Sequence, residues 1–154
     1  MNYLEPDTSF EELKSWKEVV VYHGSGESDL SPRSNLHCGS FLQSLFRTDF
    51  KVNDEEVYKH GYIYEIKCSL EGLNKELLGD DGKNQNLILE DSYKNLYNVL
   101  AYKNIAEGFA KDNNISLIIL KESNIISFKL DSIWSGPAIE SFLDDEYLKR
   151  NPLK

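Results

Sequence analysis

The sequence predicts an α+β fold of mostly antiparallel strands, and three observations predict it. Short apolar, β-branched runs at Glu18–His23 (EVVVYH), Ser116–Leu120 (SLIIL) and Ile125–Leu130 (IISFKL) read as strands. Helical patterns are interspersed among them without the regular strand–helix–strand alternation that builds a parallel sheet. Neither a Rossmann glycine fingerprint nor a P-loop occurs. At 154 residues, 40% of them hydrophobic, the chain fits one domain whose core needs no metal or disulfide.

The elements follow in order. Ser9 with Glu12 three residues later has the form of a capping box, after which Phe10, Leu13 and Trp16 share one helical face. Glu18–His23 is a buried strand that runs into a glycine loop, Gly24-Ser25-Gly26, with His23 at its end. Asn35–Cys38 can form a short strand, Gly39 breaks it, and Ser40 can cap a helix with Phe41, Leu42, Leu45 and Phe46 as its apolar residues. In Gly61–Cys68, Tyr62, Tyr64, Glu65 and Lys67 stand against Ile63, Ile66 and Cys68, which predicts a strand with one better-buried face.

Leu70–Leu78 reads as an amphipathic turn or helix, and Asp80–Asn86 as a mobile polar loop. Tyr93–Tyr102 begins as helix and ends as a short strand at Val99. The strands Ser116–Leu120 and Ile125–Leu130 are joined by Lys121–Asn124, short enough for antiparallel or consecutive pairing. Pro137 can open a last helix with Ile139, Phe142, Leu143 and Tyr147 on its inner face.

A net charge of −9, from 26 acidic against 17 basic residues, disfavours non-specific nucleic-acid binding, although a local basic groove is compatible with it. The acids cluster at Asp54–Glu56, Asp80–Asp81 and Asp144–Glu146. No segment approaches the roughly 20 apolar residues of a membrane span, and Met1–Phe10 lacks a signal-peptide pattern, so a cytoplasmic location without membrane association is expected. Delivery into another cell by machinery that reads no cleavable signal is compatible with this. Cys38 and Cys68 have neither zinc-ligand spacing nor a disulfide framework around them; two buried thiols and no metal site are expected.

Three segments stand out together: YHGS at Tyr22–Ser25, LHCGS at Leu36–Ser40, and YKNIAEG at Tyr102–Gly108 followed by SLIIL and the polar turn KESNI. In this order they resemble the ADP-ribosyltransferase superfamily. His23-Gly24-Ser25 is similar to the His-Gly-Thr/Ser that ends the family's first strand, and His37-Cys38-Gly39-Ser40 to a His-x-Gly-Thr element of small bacterial and phage relatives. Tyr102, Asn104 and Glu107 match a Tyr-x-Asn-x-x-Glu stretch. The resemblance spans Val19 to Leu130. It departs from the family in that Ser116–Leu120 carries no Glu and no Glu-x-Glu is present, so arginine specificity is not implied. His37 also stands where several branches have an aromatic or Ser-Thr-Ser strand.

The resemblance implies a split β-sandwich with flanking helices and an NAD-dependent mono-ADP-ribosyltransferase, with NAD as substrate and a macromolecular acceptor. The acidic surface makes that acceptor a protein rather than a nucleic acid. Small size fits a phage- or toxin-type effector. The catalytic residues implied are Glu107, steadying the ribose as it becomes cationic, and His23, binding a ribose hydroxyl. The NAD-binding set implied is His23, Gly24, Ser25, His37, Ser40, Phe41, Tyr102 and Asn104, with Phe46 as a second stacking ring and Glu122 as a fallback carboxylate.

Each of these also has an ordinary structural use. His23 and Asn104 could fix turns, Glu107 could be an exposed loop carboxylate, and the aromatic rings could be core. Two groups of alternatives stay open. One is the same pocket used for NAD hydrolysis, nucleic-acid ADP-ribosylation or transfer of an RNA 2′-phosphate to NAD. The other is a non-enzymatic acidic inhibitor that mimics nucleic-acid charge.

Overall fold

The computed structural model describes residues 1–54, 59–79 and 91–150, so the expected loop at Asp80–Asn86 and the acids at positions 55, 56, 80 and 81 lie outside it. The described elements are α1 (Phe10–Ser15), β1 (Glu18–Ser25), β2 (Leu36–Cys38), α2 (Phe41–Asp54), β3 (His60–Ser69), β4 (Val99–Lys103), β5 (Ile115–Ile119), a 3₁₀ turn at Glu122–Asn124, β6 (Ile125–Ser135) and α3 (Gly136–Arg150). The strands form two three-stranded sheets, ordered β1-β3-β6 and β2-β5-β4, and each named pairing is antiparallel. The α+β class and its mostly antiparallel strands are as the sequence predicts.

The main core lies between the sheets. Val19, Val21, Ile66 and Cys68 of the first sheet pack with Leu36, Val99, Ala101, Leu117 and Ile119 of the second, closed by Leu4 and by Leu13 of α1. The Ser9–Glu12 capping box is present in both directions and fixes the start of α1. On the far side of the first sheet, Leu45 of α2, Ile63 and Ile139 of α3 form a second cluster with Phe41, Trp134 and Phe142 around them. Leu100, Tyr102, Ile118 and Leu120 form a third on the outer face of the second sheet. Every residue of β5 is buried, because both its edges are paired and both its faces are covered. A continuous apolar run is the sequence of such a strand.

Helix α2 lies unusually close to the first sheet. A Cβ at Gly24 would collide with Thr48 Oγ1 and the Ser44 carbonyl, and one at Gly61, on the neighbouring strand, would collide with Thr48 Cγ2. The two glycines thus make a shallow bed for the helix. The expected glycine loop at Gly24-Ser25 is for this reason strand: Gly24 pairs with Ile63 and Ser25 with Tyr62, and the chain leaves the sheet only at Gly26.

Other expectations are corrected. β5 and β6 do not pair with each other but belong to different sheets. The 3₁₀ turn between them redirects the chain, held by Asn124 Nδ2, which donates to the carbonyls of Ser69 (3.0 Å) and Glu71 (2.8 Å). Tyr64 is buried rather than on the wetter face of β3, because a bulge at Ile63/Tyr64 resets the alternation. Its hydroxyl donates to the Glu27 carbonyl at 2.6 Å and accepts from the Leu30 N–H at 3.1 Å, pinning the loop after β1. Of the two readings for residues 70–78, turn or helix, the chain takes the turn, with Leu73 and Leu78 bridging to β4 and Asn74 bonding both backbone groups of Ala101. Tyr147 is 56% exposed, so the inner face of α3 ends with Phe142 and Leu143.

Candidate functional site

The two sheets touch edge to edge at one place, where Tyr22 and Gly39 exchange backbone hydrogen bonds of 2.8 and 2.9 Å. Past that bridge β1 and β2 separate. The next link is made by a side chain, since His23 Nδ1 bonds the His37 carbonyl across the gap. A cleft opens there, lined by His23 and Gly24 of β1, His37 of β2, Tyr102 of β4, Glu107, and a face of α2. Its volume is about 100 Å³. A hollow of that size suits one sugar- or phosphate-sized group, and a larger ligand would extend out of it toward solvent.

The protonation state of His23 follows from this geometry. A carbonyl only accepts, so Nδ1 carries the hydrogen. Burial pushes the imidazole pKa down to about 4, with the cations Lys51 and Arg33 adding to the effect and the His37 carbonyl opposing it. The ring is therefore neutral near pH 7 and Nε2 is a bare acceptor. His23 is 6% exposed, and Nε2 has no partner among the described residues. A buried acceptor open to a cleft can take a donor from a ligand or from water.

Glu107 sits across the cleft on the loop after β4, with its side chain 17% exposed. Asn104 holds it from both ends: Oδ1 accepts from the Glu107 N–H at 3.3 Å, and Nδ2 donates to Oε2 at 3.2 Å and to Ser116 Oγ at 3.1 Å. The other carboxylate oxygen lies 3.7 Å from Arg47 Nη1. Farther along the loop, Phe109 packs between Phe46 of α2 and Tyr147 of α3, and Arg150 bonds Asp112 at 2.7 Å. A Cβ at Gly108 would strike Asn114, whose side chain instead reaches the Phe109 carbonyl at 2.7 Å. Three separate elements thus fix the carboxylate.

Of the residues expected at the site, His23, Gly24, His37, Tyr102 and Glu107 line this cleft, and Ser25, Ser40, Phe41 and Asn104 do not. Ser25 Oγ accepts from the Glu27 N–H at 3.0 Å. Ser40 caps α2, its Oγ accepting from the Gln43 N–H at 3.2 Å. Phe41 is edge-on to Tyr22 and Phe142, and Phe46 is engaged by Phe109. Glu122 lies in the 3₁₀ turn and is not in the cleft lining.

The cleft also holds Arg33, Gln43, Arg47 and Lys51, which the sequence reading missed. A signal was there: Gln43, Arg47 and Lys51 recur every four residues, a polar stripe on a helix otherwise apolar at Leu42, Leu45 and Phe46. Burial, then Arg47 and Arg33, lower the Lys51 pKa, and its Nζ donates to the Gly24 carbonyl at 3.4 Å. Gln43 is 2% exposed; its Oε1 accepts from the Ser40 N–H at 3.0 Å, and its Nε2 has no partner among the described residues. A larger hollow of about 410 Å³ beside Trp16 contains no buried titratable side chain.

No protein-family model matches the chain, and no curated protein or solved structure shows significant similarity to it. Among the described residues no helix is long and apolar enough to cross a membrane.

Proposed function

We propose that this chain is an NAD-dependent mono-ADP-ribosyltransferase of the split β-sandwich type, acting on a macromolecular acceptor, a protein in preference to a nucleic acid. The observation that carries the reading is the pairing, in one cleft, of a buried neutral histidine whose open nitrogen can only accept with a carboxylate held by Asn104. Both features have a use in cleaving a nicotinamide–ribose bond.

His23 Nε2 accepts a hydrogen bond from a ribose hydroxyl and so orients the sugar. NAD supplies a leaving group that departs neutral: the C1′–N bond breaks, its electron pair stays on the nicotinamide nitrogen, and positive charge develops on the ribose. A Glu107 carboxylate stabilises the ribose more as the charge appears; this lowers the barrier rather than merely tightening binding. The acceptor nucleophile then bonds C1′ and loses a proton. Asn104 is a positioning residue, since it acts through Glu107. Gly24 brings its backbone to the cleft wall, and the same missing side chain seats α2.

Incubating the chain with NAD labelled in its adenylate half and with a cell lysate tests the reading. A discrete labelled protein band supports it. Release of free labelled ADP-ribose alone would replace transferase with hydrolase, and label confined to nucleic acid would replace the acceptor. Intact NAD after prolonged incubation would sink the reading.

A further inference from the structure

On the protein of net charge −9, three cations, Arg33, Arg47 and Lys51, converge on one cleft. Lys51 is close enough to both arginines for their charges to act on it. Two of the three lie on the same face of α2 as Gln43, whose buried Nε2 has no partner among the described residues. Such a set costs electrostatic energy when nothing anionic offsets it; Glu107, which faces Arg47 and acts on Lys51, and Glu27, which acts on Lys51, offset part of it. The Arg47–Glu107 pair is long, at 3.7 Å, and Arg47 is half exposed, so it is a weak contact. A phosphate presents fork-matched oxygens and more charge than a carboxylate, and competes well for an arginine.

We infer that Arg33, Arg47 and Lys51 form a subsite for a diphosphate group, and that an anion bound there draws Arg47 away from Glu107, unmasking the carboxylate. The subsite would make the cleft selective for a phosphate-bearing dinucleotide over a nucleoside, and Gln43 Nε2 offers the same anion a neutral donor. The release of Glu107 deepens the reading given above and rests on it: the oxygen freed from Arg47 faces a sugar only once the diphosphate is seated. The cation site itself stands without that reading.

Inorganic pyrophosphate titrated calorimetrically into the full chain is the test, because this probe has no glycosidic bond. Pyrophosphate should bind, more tightly than orthophosphate, and Arg47→Gln and Lys51→Gln should each weaken it about tenfold. Glu107→Gln should tighten it several-fold in the native background and clearly less alongside Arg47→Gln, where only the direct charge effect of Glu107 on Lys51 is left to remove. If Arg47→Gln does not fold, Arg47→Lys, which keeps the charge and loses the fork, takes its place and should shrink the Glu107→Gln gain.

Absence of pyrophosphate binding would overturn the subsite. A Glu107→Gln gain that is undiminished in the Arg47 variant would overturn the exchange and leave only a general charge effect. Pyrophosphate binding by a protein that leaves NAD intact would keep the subsite and remove the transferase. NAD cleavage by a protein blind to pyrophosphate would do the reverse.

Discussion

In the first half of β1, Val19 and Val21 point between the sheets and belong to the same apolar cluster as Leu36, Leu117 and Ile119. Two residues later His23 falls on the same side of the same strand and meets a carbonyl, the charges of Lys51 and Arg33, and a cleft. The alternation is unbroken; what changes is whether a second sheet lies opposite. Where the sheets are closed, an inward position must be apolar. Where they part after the Tyr22–Gly39 bridge, an inward position can carry a polar group whose second nitrogen is left for a ligand. One half of the strand is closed apolar core, and the other carries a polar side chain into a cleft.

That division can be broken from either side. Leu117→Ala removes a fully buried side chain from the closed half and should cost about 2–5 kcal/mol of stability by urea unfolding, with the cleft chemistry unaffected at temperatures where the protein stays folded. A loss below 1 kcal/mol, on the scale of a surface substitution, would mean that this core is looser than drawn.

The open half should be the acid-labile one. The His23 pKa is lowered in the fold to about 4. Above its unfolded value of about 6.5 both states are neutral and contribute no pH dependence. Between about 6.5 and 4 only the unfolded chain takes up the proton, so stability falls as pH falls, by roughly 3 kcal/mol in all from this group. Comparing wild type with His23→Gln over that window isolates the slope from the carboxylates. Parallel curves would show that the ring is not held neutral.

Glu107→Gln keeps the side chain's size and its bonds to Asn104 feasible while removing its charge. Turnover of NAD should fall on the order of a hundredfold, with a much smaller change in NAD affinity, read from kcat and KM separately. Equal losses in both would reassign the residue to ground-state binding. The smallest effect belongs to the support of α2: Ser40→Ala removes the cap and should cost about 1 kcal/mol, measured as a shift in Tm. A matching drop in pyrophosphate affinity at fixed temperature would show that the cap also sets the cation stripe.

Much of the local structure was legible because its causes are local. The Ser9–Glu12 box, the Ser40 cap and the apolar β5 each follow from a few adjacent residues. The cleft set was legible in part: His23, His37, Tyr102 and Glu107 were implied by the resemblance of the motifs that carry them, and they share one hollow. Ser25 and Ser40 stood out for the same reason and are absent from its lining, bonding backbone instead, because adjacency in the chain does not say which way a hydroxyl turns. Arg33, Arg47 and Lys51 were passed over because basic residues on a loop and a helix are ordinarily solvated.

By itself the sequence determined where backbone hydrogen bonds could form and which faces had to leave water: the strand periods, the caps and the small residues at Gly24 and Gly61 that let a helix approach. Tertiary structure alone decided that β5 and β6, separated by the five residues 120–124, enter different sheets, that a bulge buries Tyr64, and that β1 parts from β2 after one bridge. Strand propensity is a property of neighbouring residues and fixes no partner. The opening between two edges, and the charges that gather in it, exist only when segments distant in the chain compete for the same core.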